Sequence, residues 1–127
     1  MNISVARNDL VTALRQRGST AYIVTVSHLG TPHVVQTQVS EQGGAVVLEV
    51  GPHTAGNART RPNVSVLFPS ARAEDYSLIV DAIATVEPGT SGLRLLLAPT
   101  RAVLHRPIRV PDPPPSSCGC DCVPLSF

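Results

Sequence analysis

From Thr20 onward the chain is written in a two-residue rhythm that short turns keep interrupting, and this rhythm limits its fold more than any other feature. Over residues 20–27, Tyr22, Val24 and Val26 share one face and Ile23, Thr25 and Ser27 the other, which predicts a half-buried strand. His28-Leu29-Gly30-Thr31-Pro32 reads as a turn, because Gly30 tolerates positive φ and Pro32 has no amide hydrogen for a ladder. The same logic predicts strands at 33–39, 45–50, 63–68, 76–87 and 92–106. Their separators are Glu41-Gln42-Gly43-Gly44, Gly51-Pro52, residues 69–75 and Pro88-Gly89, with Pro99 bending or bulging the last strand. Such short gaps imply antiparallel neighbours.

Two segments break the rhythm. Over residues 3–17, Ile3, Leu10 and Leu14 fall on one helical face, Ala6 and Ala13 fill it, and Gly18 supplies a stop, which predicts a short amphipathic helix. Between the third and fourth strands, residues 54–61 suit one or two helical turns capped by Thr54 and ended before Pro62. The expected fold is therefore mainly β: a closed or nearly closed six-stranded antiparallel barrel with a short N-terminal helix and a small helix between strands three and four. A flat open sheet would leave long edges unprotected.

Composition excludes several function classes. A chain of 127 residues, 43% hydrophobic and 15% charged, suits one folded domain and not a disordered one. Ten Arg and no Lys face nine acidic residues, for a net charge of +1, so neither nucleic acid nor an anionic membrane has an electrostatic footprint to meet. No stretch approaches 18 apolar residues, and Asn2, Arg7 and Asp9 interrupt any apolar leader, so a cytoplasmic location is expected. Aromatic residues amount to 3% and Trp is absent, so a planar cofactor would rest on aliphatic side chains and backbone. Nucleophile-elbow, P-loop, dinucleotide-fingerprint and zincin motifs are all missing, leaving hydrolase and nucleotidase readings without an anchor.

After Arg106, six of the last 21 residues are Pro, so the barrel is expected over residues 1–106 and an extended Pro/Cys-rich tail over 107–127. All three cysteines sit in that tail, as Cys118-Gly119-Cys120-Asp121-Cys122, an odd number too local for a disulfide framework. Extended, they would share one side and could grip a thiophilic metal with a fourth ligand such as His105. Redox chemistry or simple reduced thiols are the alternatives, and Cys-x-Cys is not the usual structural zinc spacing.

Three stretches in fixed order carry a resemblance: Gly30-Thr31-Pro32-His33-Val34-Val35, then 51–66 with Thr54, Asn57, Arg61-Pro62 and Val64, then Ser77-Leu78-Ile79-Val80-Asp81. Over residues 18–106 the chain resembles the pyridoxamine 5′-phosphate oxidase-like, flavin-binding split-barrel family. That resemblance implies a six-stranded split barrel forming a homodimer, with FMN or a deazaflavin in a groove shared by both chains. It implies that His33, Val35, Gln36 and Thr37 on the second strand lie along the isoalloxazine ring, and that Val50, Gly51, Thr54, Asn57 and Arg59 complete the cofactor-binding set. It also implies oxidoreductase chemistry on a small molecule, carried by the flavin with no catalytic side chain.

The second stretch supports an anion seat on its own physics. A helix beginning near Thr54 leaves amide hydrogens unpaired at its positive end, Gly51 and Gly56 allow close backbone approach, and Thr54 with Arg59 or Arg61 could add donors. The chain departs from the family in having Ala55 and Gly56, and no Lys at all, where relatives commonly place a basic residue beside the Asn. A second reading follows, that of a cofactor-free ligand-binding or interaction module. Asp81 falls on one strand face with Ile79 and Ile83, to meet water or an Arg across a dimer interface, and His105-Arg106 closes the last strand, solvated or reaching a neighbour's pocket.

Overall fold

Ala21, Ile23 and Thr25 are buried and Tyr22, Val24 and Val26 face outward, so the alternation in the first long strand settles which side of the sheet is core. The computed structural model describes residues 2–107 apart from 44, 73 and 91. Along the chain come β1 (Asn2–Ser4), α1 (Arg7–Arg15), β2 (Thr20–Val26), β3 (Pro32–Gln42), β4 (Ala45–Val50), α2 (Pro52–Thr60), β5 (Asn63–Phe68), β6 (Ser77–Pro88) and β7 (Leu93–His105).

The six strands β2 to β7 close an antiparallel barrel in the order β7, β4, β3, β2, β5, β6 and back to β7, with β1 added outside against β7. The barrel is two three-strand meanders, β2-β3-β4 and β5-β6-β7, joined by α2 and stitched at two seams. One seam pairs β2 with β5 through Ile23 and Val66; the other pairs β4 with β7 through Leu48 and Leu95. Ile23, Leu48, Val66, Phe68, Leu78, Val80 and Leu95 fill the interior. Each such side chain contributes roughly 1.5–3 kcal/mol of burial, and Val and Leu here take the place of a larger aromatic core.

The turn at residues 27–31 is built as its residues predict. Gly30 sits at φ +83°, its amide donates to the Ser27 carbonyl at 2.8 Å, and the Ser27 amide donates to the Thr31 carbonyl at 2.9 Å. The predicted irregularity at Pro99 is a bulge. Asp81 faces Arg101 and Ala82 faces Pro99, so Thr100 is the extra residue.

Three elements differ by more than one residue from their reading in the sequence. The N-terminal helix begins at Arg7, because Asn2, Ile3 and Ser4 extend the sheet by pairing with His105, Leu104 and Val103. Ile3 is accordingly exposed, while Leu10 and Leu14 are buried as the helical face requires. The second helix begins at Pro52 and not at Thr54: Gly51 is the N-cap, and a Pro whose missing N–H is no loss occupies the first turn. Thr54 is thus a buried first-turn residue and not the cap. β3 runs on to Gln42, since residues 40–42 pair with Val47, Val46 and Ala45 before the turn.

Asp81 finds its partners within the chain. The Ser65 hydroxyl donates to its Oδ1 at 2.6 Å and Arg101 lies 3.8 Å from its Oδ2. At the end of β7, the Arg106 guanidinium lies 4.7 Å from the centre of the Tyr76 ring, so this strand end is packed down. Cys118, Cys120 and Cys122, and the expected tail beyond residue 107, lie outside the described residues. Among the described residues no cluster of His, Cys, Asp or Glu is placed to hold a metal, and no helix is long and apolar enough to cross a membrane.

Candidate functional site

The alternation that buries one face of β3 brings His33, Val35 and Thr37 to the same side of the strand. There they meet the end of β4, the first residues of α2 and the start of β7, because β4 pairs with both β3 and β7 and ends with Val50 opposite Leu93. The result is a cavity of about 510 Å³ lined by residues of all four elements and the β6–β7 turn. That volume lies within the range of small-molecule sites. Val35, Val50 and Leu93 give it aliphatic walls.

One end of the cavity is the start of α2. Gly51, Pro52, His53 and Thr54 all line it, and no side chain caps the helix. Pro52 has no N–H and the Ala55 amide is already bonded to the Gly51 carbonyl at 3.1 Å. The amides of His53 and Thr54 are therefore the donors at the positive end of the helix dipole. A Cβ added at Gly51 would meet nothing within 4 Å, so packing alone does not demand glycine there.

On the opposite wall, the Thr37 hydroxyl donates to the Glu49 carbonyl at 2.9 Å, fixing β3 against β4. The Glu49 side chain lines the cavity beside the β6–β7 turn: a Cβ added at Gly89 would come 2.8 Å from its Oε2. It is the single Asp, Glu or Arg in the lining. The two aromatic rings in that lining, those of His33 and His53, stack on each other with centroids 4.4 Å apart and planes 3° from parallel. The Nδ1 atom of His33 is buried and has no hydrogen-bond partner.

Of the residues expected to hold a cofactor, His33, Val35, Gln36, Thr37, Val50, Gly51 and Thr54 come together here. Asn57 and Arg59 do not. Asn57 is buried on the inner side of α2, where its amide donates to the Thr25 hydroxyl at 3.1 Å. Arg59 is exposed in the last turn of α2, the end that a cation stabilises, about 9 Å along the axis from His53 at 1.5 Å per residue. Arg61, the other basic candidate, donates from Nε to the Ser27 carbonyl at 3.0 Å and from a terminal nitrogen to the His28 carbonyl at 3.4 Å, steadying the β2–β3 turn. Gly56 is likewise not part of the lining.

The lining residues that the sequence reading omitted are Glu49, Pro52, His53, Gly92 and Leu93. His53 and Pro52 were within reach, since starting the helix at a Gly-Pro pair puts both in its first turn. Gly92 and Leu93 arrive only through the β4–β7 pairing, which nothing local announces.

No family model matches the sequence. It is 33% identical over 121 residues to the uncharacterized protein Mb0449c of Mycobacterium bovis, an alignment covering 84% of each chain, and equally to MT0457 of Mycobacterium tuberculosis. The chain and these mycobacterial proteins belong to one family. Among solved structures, a pyridoxamine 5′-phosphate oxidase-like protein of Listeria innocua superposes with a TM-score of 0.65 at 15% identity, over 77% of this chain and 96% of that one. The chain has the split-barrel fold of that protein. Other split barrels of this kind carry different ligands. The FAD-binding protein of Mycobacterium smegmatis matches with a TM-score of 0.60 at 15% identity, covering 81% of this chain and 97% of that one. The heme storage protein HutZ of Vibrio cholerae matches with 0.61 at 15%, covering 78% and 94%.

Proposed function

We propose that this split barrel binds a flavin, FMN in the first instance and a deazaflavin as the alternative, and acts as a homodimeric oxidoreductase on a small organic molecule. The observation that carries the reading is the cavity itself, in which the inner face of β3 meets the open N-terminus of α2. The amides of His53 and Thr54 would receive the phosphate, and Val35, Val50 and Leu93 would face the ring. Bound there, a flavin supplies the hydride and electron chemistry; the protein's part is to hold and orient the ring and to keep water from it.

A second copy suits the outer face of the barrel. Tyr22 and Val24 on β2, Val34 on β3 and Leu67 on β5 put apolar side chains there and Ile83 adds another on β6, around the polar Ser65–Asp81–Arg101 group, with Val34 57% and Ile83 46% exposed. Val34 and Val24 are cross-strand partners, as are Tyr22 and Leu67, so the apolar side chains adjoin.

A cofactor-free ligand-binding module is the second reading, and one observation favours it. The cavity holds a carboxylate, Glu49, and no Arg. Titrating the purified protein with FMN, deazaflavin, FAD and heme, followed by absorbance and flavin fluorescence, tests both. Quenching of FMN or deazaflavin at micromolar concentration supports the first reading. Saturable binding of heme alone, or of none of the four, overturns it and leaves the module.

A further inference from the structure

We propose that the part of the cavity beside the β6–β7 turn is a binding site for an organic cation, with Glu49 as the residue that selects it. The molecule taken there carries a positively charged nitrogen on a short apolar body. The inference goes beyond the flavin reading and does not depend on it.

The charge of the lining carries it. Glu49 is the single Asp, Glu or Arg there, and the chain has no Lys. Four carboxylates sit on strands, and three of them have an Arg partner: Glu41 pairs with Arg15, Asp81 with Arg101 and Glu87 with Arg94. Among the described residues no cation pairs with Glu49. Its cross-strand partner on β7 is Arg94, but Arg94 also faces Glu87 on β6 and gives that residue its Nε at 2.6 Å. The row across β4, β7 and β6 thus holds two carboxylates and one guanidinium, and the carboxylate left over is the one that lines the cavity.

The turn gives that carboxylate its seat. A Cβ added at Gly89 would lie 2.8 Å from Glu49 Oε2, 3.4 Å from the Gly92 carbonyl oxygen and 3.5 Å from the Arg94 Cβ, so the bare glycine leaves room for the carboxylate against the turn. The Gly89 amide donates to the Gly92 carbonyl at 2.7 Å, which closes the turn and firms this wall. Val35, Val50 and Leu93 line the same cavity and offer an apolar body a place to lie.

The same observations choose among ligand classes. A metal ion would need more donors than one carboxylate, and among the described residues no cluster of His, Cys, Asp or Glu is placed to supply them. An anion is repelled by Glu49, and a neutral molecule gains nothing from its charge. Glu49 is exposed, so water screens it, yet a unit positive charge about 4 Å away is still favoured about fivefold over a neutral isostere, and more where the cavity excludes water.

A series that changes the charge on one body tests this: n-butylammonium, n-butylguanidinium and n-butanol, each titrated into isotope-labelled full-length protein at low salt. At least one of the cations should shift the amide resonances of Glu49, Gly89 and Leu93 and bind about fivefold or more tightly than the alcohol. A lead for the guanidinium identifies a forked partner for the carboxylate, and a lead for the ammonium a single point charge. Raising the salt should shrink the lead. Glu49→Gln, checked for folding by circular dichroism, should erase it and leave the affinity for n-butanol within about twofold of the parent. Cations that bind no better than the alcohol, a lead that survives in Glu49→Gln, or no cation-dependent shift at these amides overturns the inference. Titration with FMN reads the flavin site separately, so either reading can fall while the other stands.

Discussion

Replacing Asn57 with Ala separates a structural role from a ligand-binding one. Asn57 is 7% exposed and its amide donates at 3.1 Å to the hydroxyl of Thr25, which is 0% exposed. Removing the amide forfeits a net hydrogen bond of about 0.5–1.5 kcal/mol and leaves the Thr25 oxygen buried short of a donor, a further cost of about 1–3 kcal/mol. A total of about 1.5–4.5 kcal/mol lowers Tm by roughly 6–18 °C for a chain of this size. Thermal and urea unfolding followed by circular dichroism read this directly, with Thr25→Val and the double variant completing a cycle whose coupling should be about 1 kcal/mol. Because Asn57 lies outside the cavity lining, flavin affinity measured well below Tm should stay within about threefold of the parent, a difference under 1 kcal/mol. A loss of stability under about 0.5 kcal/mol, a vanishing coupling, or a thirtyfold fall in affinity of the folded variant would refute the reasoning.

Glu49→Gln removes the formal negative charge from the cavity and should tighten FMN about two- to tenfold while leaving riboflavin unchanged, most clearly at low salt; equal effects on both ligands would argue against a phosphate beside α2. Val34→Glu with Ile83→Lys should abolish self-association, read by sedimentation, against a parent of about twice 13.4 kDa. Leu48→Ala, at a position 0% exposed in the barrel core, should cost about 2–5 kcal/mol in chemical denaturation.

The barrel was legible in the sequence because its cues are local. Gly30, Pro32 and the Pro88-Gly89 pair mark turns by their own backbone chemistry, and the strands between them are too close together for anything but hairpins. Pro99 announced a bulge for the same reason. The N-terminus was misread because Ile3 satisfies helical spacing equally well, and only the exposed edge of β7 draws it into a strand. The candidate site was legible along β3, where alternation alone aligns His33, Val35 and Thr37. It was illegible where two distant segments meet. That Asn57 would turn toward Thr25, that Arg61 would bind the β2–β3 turn, and that Leu93 would reach the cavity all depend on which strands lie side by side, and no residue type encodes that by itself.

The two-meander construction bears on how the chain assembles. Within each meander every pairing joins segments one turn apart, so each half can zip from its hairpins on a short timescale. Both seams instead wait on the meeting of the halves. The β2–β5 seam, with three residue pairs, is shorter than the β4–β7 seam with five, and should be the first to open and the first to exchange its amide hydrogens. The stretch that carries α2 is thus also a tether, and its length sets how far apart in sequence the halves stand when they meet in the refolding chain.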